Sequence, residues 1–214
     1  MLKYNIMRKR YDAALLHVYG YEERKEDGHL RPSTRTRLVL EAARELMQAG
    51  KVDNFVFASR PALGKKEPMS TVAANEFIRT THVDSKHVFV NPSAPATTNQ
   101  ELKFLRKEAG VQSWSHVISI GCELHKRTIT ILAKRLFKDG VDFEFKSVEE
   151  ILQTVPSHTD RKKYQQIIDQ LHNSEGEKKF TKYESGVANK FKLHFPFGPE
   201  ILDVVARFYR PRVD

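Results

Sequence analysis

The sequence predicts an α/β chain, with a doubly wound, mainly parallel sheet of about five strands and a helical C-terminal extension. Three observations carry this prediction. Short apolar runs alternate with segments of helical periodicity as far as residue 146. Those runs are apolar on both faces, as strands covered on both sides must be. Beyond residue 146 the alternation stops, and helical patterns give way to a polar, basic stretch and a tail of aromatics among cations.

The elements follow in order. The run DAALLHVYG (12–20) is a buried strand ending at Gly20, and a charged loop, YEERKEDGHLRP, comes after it. STRTRLVLEAARELMQAG (33–50) is a helix: Ser33 or Thr34 caps it, Leu38, Ala42, Leu46 and Met47 share a face, and Gly50 sits just past its end. NFVFAS (54–59) is the second strand, STVAANEFIRTT (70–81) the second helix and HVFV (87–90) the third strand. The next helix opens on Thr98-Asn99-Gln100-Glu101, which fits a capping box, and is expected to close at Gly110. SHVISI (115–120) is the fourth strand. LHKRTITILAKRLFKDG (124–140) is a helix with Ile129, Leu132, Ala133 and Leu136 along one stripe, and VDFEF (141–145) is the fifth strand. Residues 11–146 thus form the α/β domain, and 147–214 a mostly helical extension packed on the sheet or its edge. The expected role of Phe195 and Phe197 is to dock the tail.

A chain of 214 residues, 40% hydrophobic and 29% charged, can bury a core without disulfides or a structural metal. Its net charge of +9 favours anionic partners: phosphate-bearing small molecules, nucleic acid or an acidic membrane surface. A solvated basic surface without a specific partner fits the same number. Zinc-finger spacing, RRM aromatics and a basic region leading into heptads are all absent. Cys122 is the only cysteine, which excludes an intrachain disulfide and a cysteine-rich zinc site and suits a cytoplasmic location. The histidines lack metal-site spacing, so no metal is expected. No apolar run approaches the length of a membrane span, and the basic N-terminus lacks the apolar segment of a signal peptide.

In a doubly wound sheet, ligands bind outside the carboxyl ends of the strands. Those ends present Gly20 between Tyr19 and Tyr21; Ser59 and Arg60; Asn91 and Ser93 ahead of Thr98; and Cys122, Glu123 and His125 followed by Lys126 and Arg127. Arg35 and Arg37 lie near the start of the first helix. Helix N-termini, hydroxyls and cations together favour a phosphate or carboxylate guest. His125 has the chemistry of a general acid or base near neutral pH, or is a polar residue of a first helical turn. Lys126 and Arg127 supply positive charge, or form a solvated face; Thr98 donates to a ligand, or only caps. Nothing around Cys122 argues for a reactive thiolate. G-x-G-x-x-G, Walker A and G-x-S-x-G are absent, so no dinucleotide fingerprint, P-loop or nucleophile elbow is supported.

In order along the chain, DAALLHVYG, HLRPSTRTRLVLEAARELMQAGKVDNFVFAS, VFVNPSAPATTNQEL and SHVISIGCELHKRT resemble the bacterial family of YdcF, SanA and ElyC, a domain of unknown function. The resemblance spans about residues 11–137. It implies a Rossmann-like fold and a site at Gly20, Arg37, Ser59, Ser93, Thr98 and His125. It leaves the cofactor unknown, with a nucleotide or S-adenosylmethionine-like ligand suggested by analogy of fold. The sequence departs from the family pattern in four places. Gly20 stands alone between tyrosines, and Arg60 and Pro61 replace glycines. The loop after the third strand is longer, so Thr97 or Thr98 matches the family threonine. The family arginine falls on Thr128, with Arg127 one position early. These departures favour side-chain cations over a backbone cradle for phosphate. The expected function is binding of an anionic small molecule, nucleotide-like or phosphorylated, which leaves room for a transferase or hydrolase without deciding whether the protein is an enzyme. The alternative is a non-catalytic protein that uses the basic stretch from Arg161 to Arg212 on nucleic acid or anionic lipid.

Overall fold

The computed structural model describes residues 9–23, 29–61, 66–94, 97–138, 140–155 and 158–173, with single positions 178 and 182. Five strands form an all-parallel sheet: β1 (Tyr11–Leu16), β4 (Val52–Ala58), β5 (Val88–Asn91), β6 (His116–Gly121) and β7 (Asp142–Ser147). Their order, β5-β4-β1-β6-β7, reverses direction at β1, so the crevice between β1 and β6 is the topological switch point. The fold is a Rossmann-like doubly wound α/β fold, as the alternation of runs predicts.

Strand periodicity sorts the core into two layers. Ala14 and Leu16 of β1, Phe55 and Phe57 of β4, and Ile118 and Ile120 of β6 point to one face. There they meet α1 (Thr34–Gln48), α2 (Met69–Thr81), α5 (Val148–Thr154) and α6 (His158–His172). Ala13, Leu15, Val56 and Val117 point to the other face, against α3 (Thr98–Gln112) and α4 (Lys126–Leu136). The described part of the extension therefore joins the main core: Ile151, Leu152 and Ile168 belong to the same cluster as α1. Phe195, Phe197 and most of the basic stretch up to Arg212 lie outside the described residues.

Several elements differ from expectation. The charged loop after β1 contains a small antiparallel pair, β2 (Tyr21–Glu23) with β3 (Leu30–Pro32). Three residues are too few to show a period of two. Strand β1 ends at Leu16, although His17 N–H still donates to the Ile120 carbonyl over 3.1 Å, and residues 18–20 lie outside the ladder. Gly110 does not close α3; the helix runs to Gln112 and ends at Ser113, a left-handed residue with φ of 59°. Helix α4 is preceded by a 3₁₀ turn over Glu123–His125 and stops at Leu136. Gly50, with φ of 65°, does sit just beyond α1.

Candidate functional site

Two histidines meet at the switch point. The inward alternation of β1, Ala13 then Leu15, carries on to His17, which therefore faces the α3–α4 layer. On β6 the same side holds Val117, Ser119 and Gly121. His17 is buried: its Nδ1 lies 2.6 Å from Glu101 Oε2, and its Nε2 lies 2.7 Å from Ser119 Oγ. A carboxylate only accepts, so Nδ1–H donates to Glu101, while Nε2 and the Ser119 hydroxyl share the second bond. Glu–His–Ser in this order resembles a nucleophilic triad. Yet Ser119 is 0% exposed in mid-strand, so no substrate carbonyl can approach its oxygen. The three residues form an internal polar strut between β1, α3 and β6.

His125, at the end of the 3₁₀ turn, is half-buried. Its ring stands edge-on to His17 with centroids 5.5 Å apart. Tyr19 Oη lies 3.2 Å from His125 Nδ1, and Thr98 Oγ1 lies 2.9 Å from Nε2. The Cys122 backbone N–H donates to Tyr19 Oη over 3.0 Å. Two hydroxyls thus bracket the His125 ring, one at each nitrogen, and the tautomer sets which member of each pair donates. Hydrogen bonds aligned in one direction reinforce each other. The chain from Cys122 N–H through Tyr19 and His125 to Thr98 ends at the first turn of α3, where the helix dipole favours negative charge.

Thr98 is free for this bond because it is not the cap. Thr97 is: its hydroxyl accepts from Gln100 N, and Thr97–Gln100 fits the capping-box pattern as well as Thr98–Glu101 does. The shift by one residue also turns Glu101 inward to His17.

The approach of Tyr19 depends on Gly121. A Cβ there would lie 2.8 Å from Tyr19 Oη, and 3.3 Å from both His17 Cδ2 and Ile129 Cδ1. Tyr19 is partly exposed as a residue, while its phenolic end lies among Cys122, Gly121 and His125. Burial first, then the Cys122 thiol, with Glu101 also contributing, raises this phenol well above its ordinary value. The phenols of Tyr11 and Tyr164 are also raised, each chiefly by burial and then by carboxylates. In each case the native state holds the proton more tightly than the unfolded chain. Stability from these groups is therefore complete below about pH 10 and is lost as pH climbs beyond it. Urea midpoints are expected to fall steadily above that pH, and a midpoint flat through strongly alkaline pH would contradict this.

The other expected site residues are spread along the same edge. Gly20 is buried with φ of 125°; its carbonyl accepts from Thr36 Oγ1 and Ser33 N, both at 3.0 Å. Ser33, not Thr34, caps α1, leaving Thr34 Oγ1 to accept from Arg37 Nη2 at 2.9 Å. Ser59 is wholly buried, and its carbonyl accepts from Ser70 Oγ. Ser93 is exposed beside a hollow of about 300 Å³ lined by Asn91, Gln100, Lys103, Phe104 and Lys107. Lys126 pairs with Glu123 at 3.0 Å. Together with Arg127, Thr130 and Ile131 it lines a second hollow of about 370 Å³. Thr98 and His125 are the two expected residues that the structure joins directly.

Glu101, His17, Ser119 and Tyr19 were not singled out as a unit by the sequence. A histidine and a tyrosine at alternate positions after a buried strand are the signal that points to two of them. Among the described residues no group of three or more His, Cys, Asp or Glu side chains is placed to hold a metal, and no helix is long and apolar enough to cross a membrane. Compared with models of known families, with curated proteins and with solved structures, the chain matches none.

Proposed function

We propose that the protein binds an anionic small molecule, nucleotide-like or phosphorylated, at the carboxyl edge of its sheet around Thr98 and His125. The observation that carries this reading is the Tyr19–His125–Thr98 chain at the switch point, ending beside the N-terminus of α3. Lys126 and Arg127 at one flank and Arg37 at the start of α1 supply compensating charge. His125, in contact with two hydroxyls, is suited to move a proton in a transfer or hydrolysis reaction. The resemblance to the YdcF, SanA and ElyC family leads to the same two residues, and the single cysteine suits work in the cytoplasm. S-adenosyl compounds belong among the candidate ligands by analogy of fold.

A thermal-shift screen over nucleotides, sugar phosphates and S-adenosyl compounds tests the reading. At least one compound is expected to raise the Tm of the wild type, and to raise it less in Arg37→Ala and His125→Ala. Equal shifts in all three proteins would sink the proposal, as would no shift in any.

A further inference from the structure

The two faces of the sheet carry very different charge. Helix α3 contributes Lys103, Arg106 and Lys107 against Glu101 and Glu108, and Glu101 is turned into the core. Helix α4 contributes Lys126, Arg127, Lys134 and Arg135 and no carboxylate. The layer is therefore net +5, offset only by Glu123 in the turn before α4. On the opposite face α1, α2, α5 and α6 together carry seven Lys or Arg and seven Asp or Glu, a net charge of zero. Among the six described helices, the excess of cations thus sits on the α3–α4 side.

Both hollows described above open on that layer. In one, Lys103 and Lys107 flank the half-buried ring of Phe104. In the other, Lys126 and Arg127 flank Leu124 and Ile131, with Glu123, the partner of Lys126, on the same lining. Each pairs an apolar floor with a cationic rim, and each volume, about 370 and 300 Å³, is that of a small-ligand site. We infer that the α3–α4 layer is a docking surface for single-stranded nucleic acid, with phosphates at the lysine and arginine rims and bases against the apolar floors.

The chemistry favours this occupant over two others. A duplex keeps its bases stacked inside and would leave Phe104 and Ile131 unused, whereas unpaired bases stack on such surfaces. A bilayer surface is best held by protruding apolar side chains beside the cations. The large hydrophobic residues exposed among the described ones are Val90 and Val111, and neither lines a hollow. The inference shares Lys126 and Arg127 with the small-molecule site but does not use His125, so His125→Ala separates the two.

Fluorescence anisotropy of the full chain with labelled oligo(dT) and oligo(rU) tests it, over a range of salt. Lys107 and Lys134 are exposed, and among the described residues neither makes an ion pair. Binding is expected to weaken as salt rises, with each neutralised phosphate adding about 0.7 to the log–log slope. Lys107→Glu/Lys134→Glu is expected to weaken binding and to lower that slope by about 1.4. Lys162→Glu/Lys163→Glu, the same change of charge on the opposite face, is expected to leave both unchanged, as is His125→Ala. A preference for oligo(rU) would identify RNA as the partner, and one for oligo(dT) would identify DNA. No binding at low salt, equal losses from both lysine pairs, or tighter binding to duplex DNA or phosphatidylserine vesicles would each overturn the inference.

Discussion

His17→Leu is expected to destabilise the protein by about 3–5 kcal/mol, among the largest losses a single substitution causes. The reason lies in what remains. Glu101 is 6% exposed and its Oε2 is held by His17 Nδ1 at 2.6 Å. Without the imidazole a carboxylate is left in the core beside Leu102 and Leu105, and it must either stay charged without a partner or take up a proton. Ser119 Oγ loses its hydrogen-bond partner in the same step. The double variant His17→Leu/Glu101→Leu removes both members of the pair and is expected to recover most of the loss, since well-packed apolar replacements of buried pairs are often neutral. Urea unfolding of the two variants decides the matter. A single variant within about 1 kcal/mol of wild type would show that the strut does not hold β1, α3 and β6 together.

Gly121→Ala and Gly110→Ala are expected to move stability in opposite directions. At Gly121 the new methyl meets a phenol oxygen, an imidazole and Ile129, all packed against rigid neighbours, and overpacking of this kind costs about 1–3 kcal/mol. The relief open to Tyr19 is to retreat, which breaks its bonds to Cys122 N and His125 Nδ1. The His125 ring resonances of Gly121→Ala should therefore move as well. At Gly110, inside α3, a Cβ meets nothing within 4 Å, and Ala there is expected to add about 0.5–1 kcal/mol through helix propensity. A Gly121→Ala variant as stable as wild type, with unchanged His125 resonances, would contradict the close packing of Tyr19 on β6.

The fold was legible because its signals are local. The apolar runs of β1, β4 and β6 and the stripes of α1 and α4 follow from neighbouring residues, and their alternation dictates a parallel sheet with helices on both sides. That His125 and Thr98 lie at the carboxyl edge of the sheet was legible for a related reason: each begins or precedes the helix that follows a strand. The bond between them was hidden by an ambiguity of one residue, because Thr97 and Thr98 both begin an acceptable capping box. The strut of Glu101, His17 and Ser119 was not legible. Its contacts join residues 84 and 102 positions apart, and no local pattern encodes which strand lies beside which. Gly110 illustrates the reverse error: glycine often ends a helix, but here Ser113 takes the left-handed turn and the helix runs through Gly110.

The most direct test of the central claim follows the His125 imidazole by nitrogen-15 NMR while phosphorylated ligands are added to wild type and to Thr98→Val. In the wild type, a binding nucleotide or sugar phosphate is expected to shift the Nε2 resonance of His125 and the amides at the start of α3. In Thr98→Val, the affinity should drop by about 5- to 10-fold, as loss of one hydrogen bond implies. Ligand-induced shifts confined to other parts of the chain, with His125 and the Thr98 amide unmoved, would contradict the placement of the site.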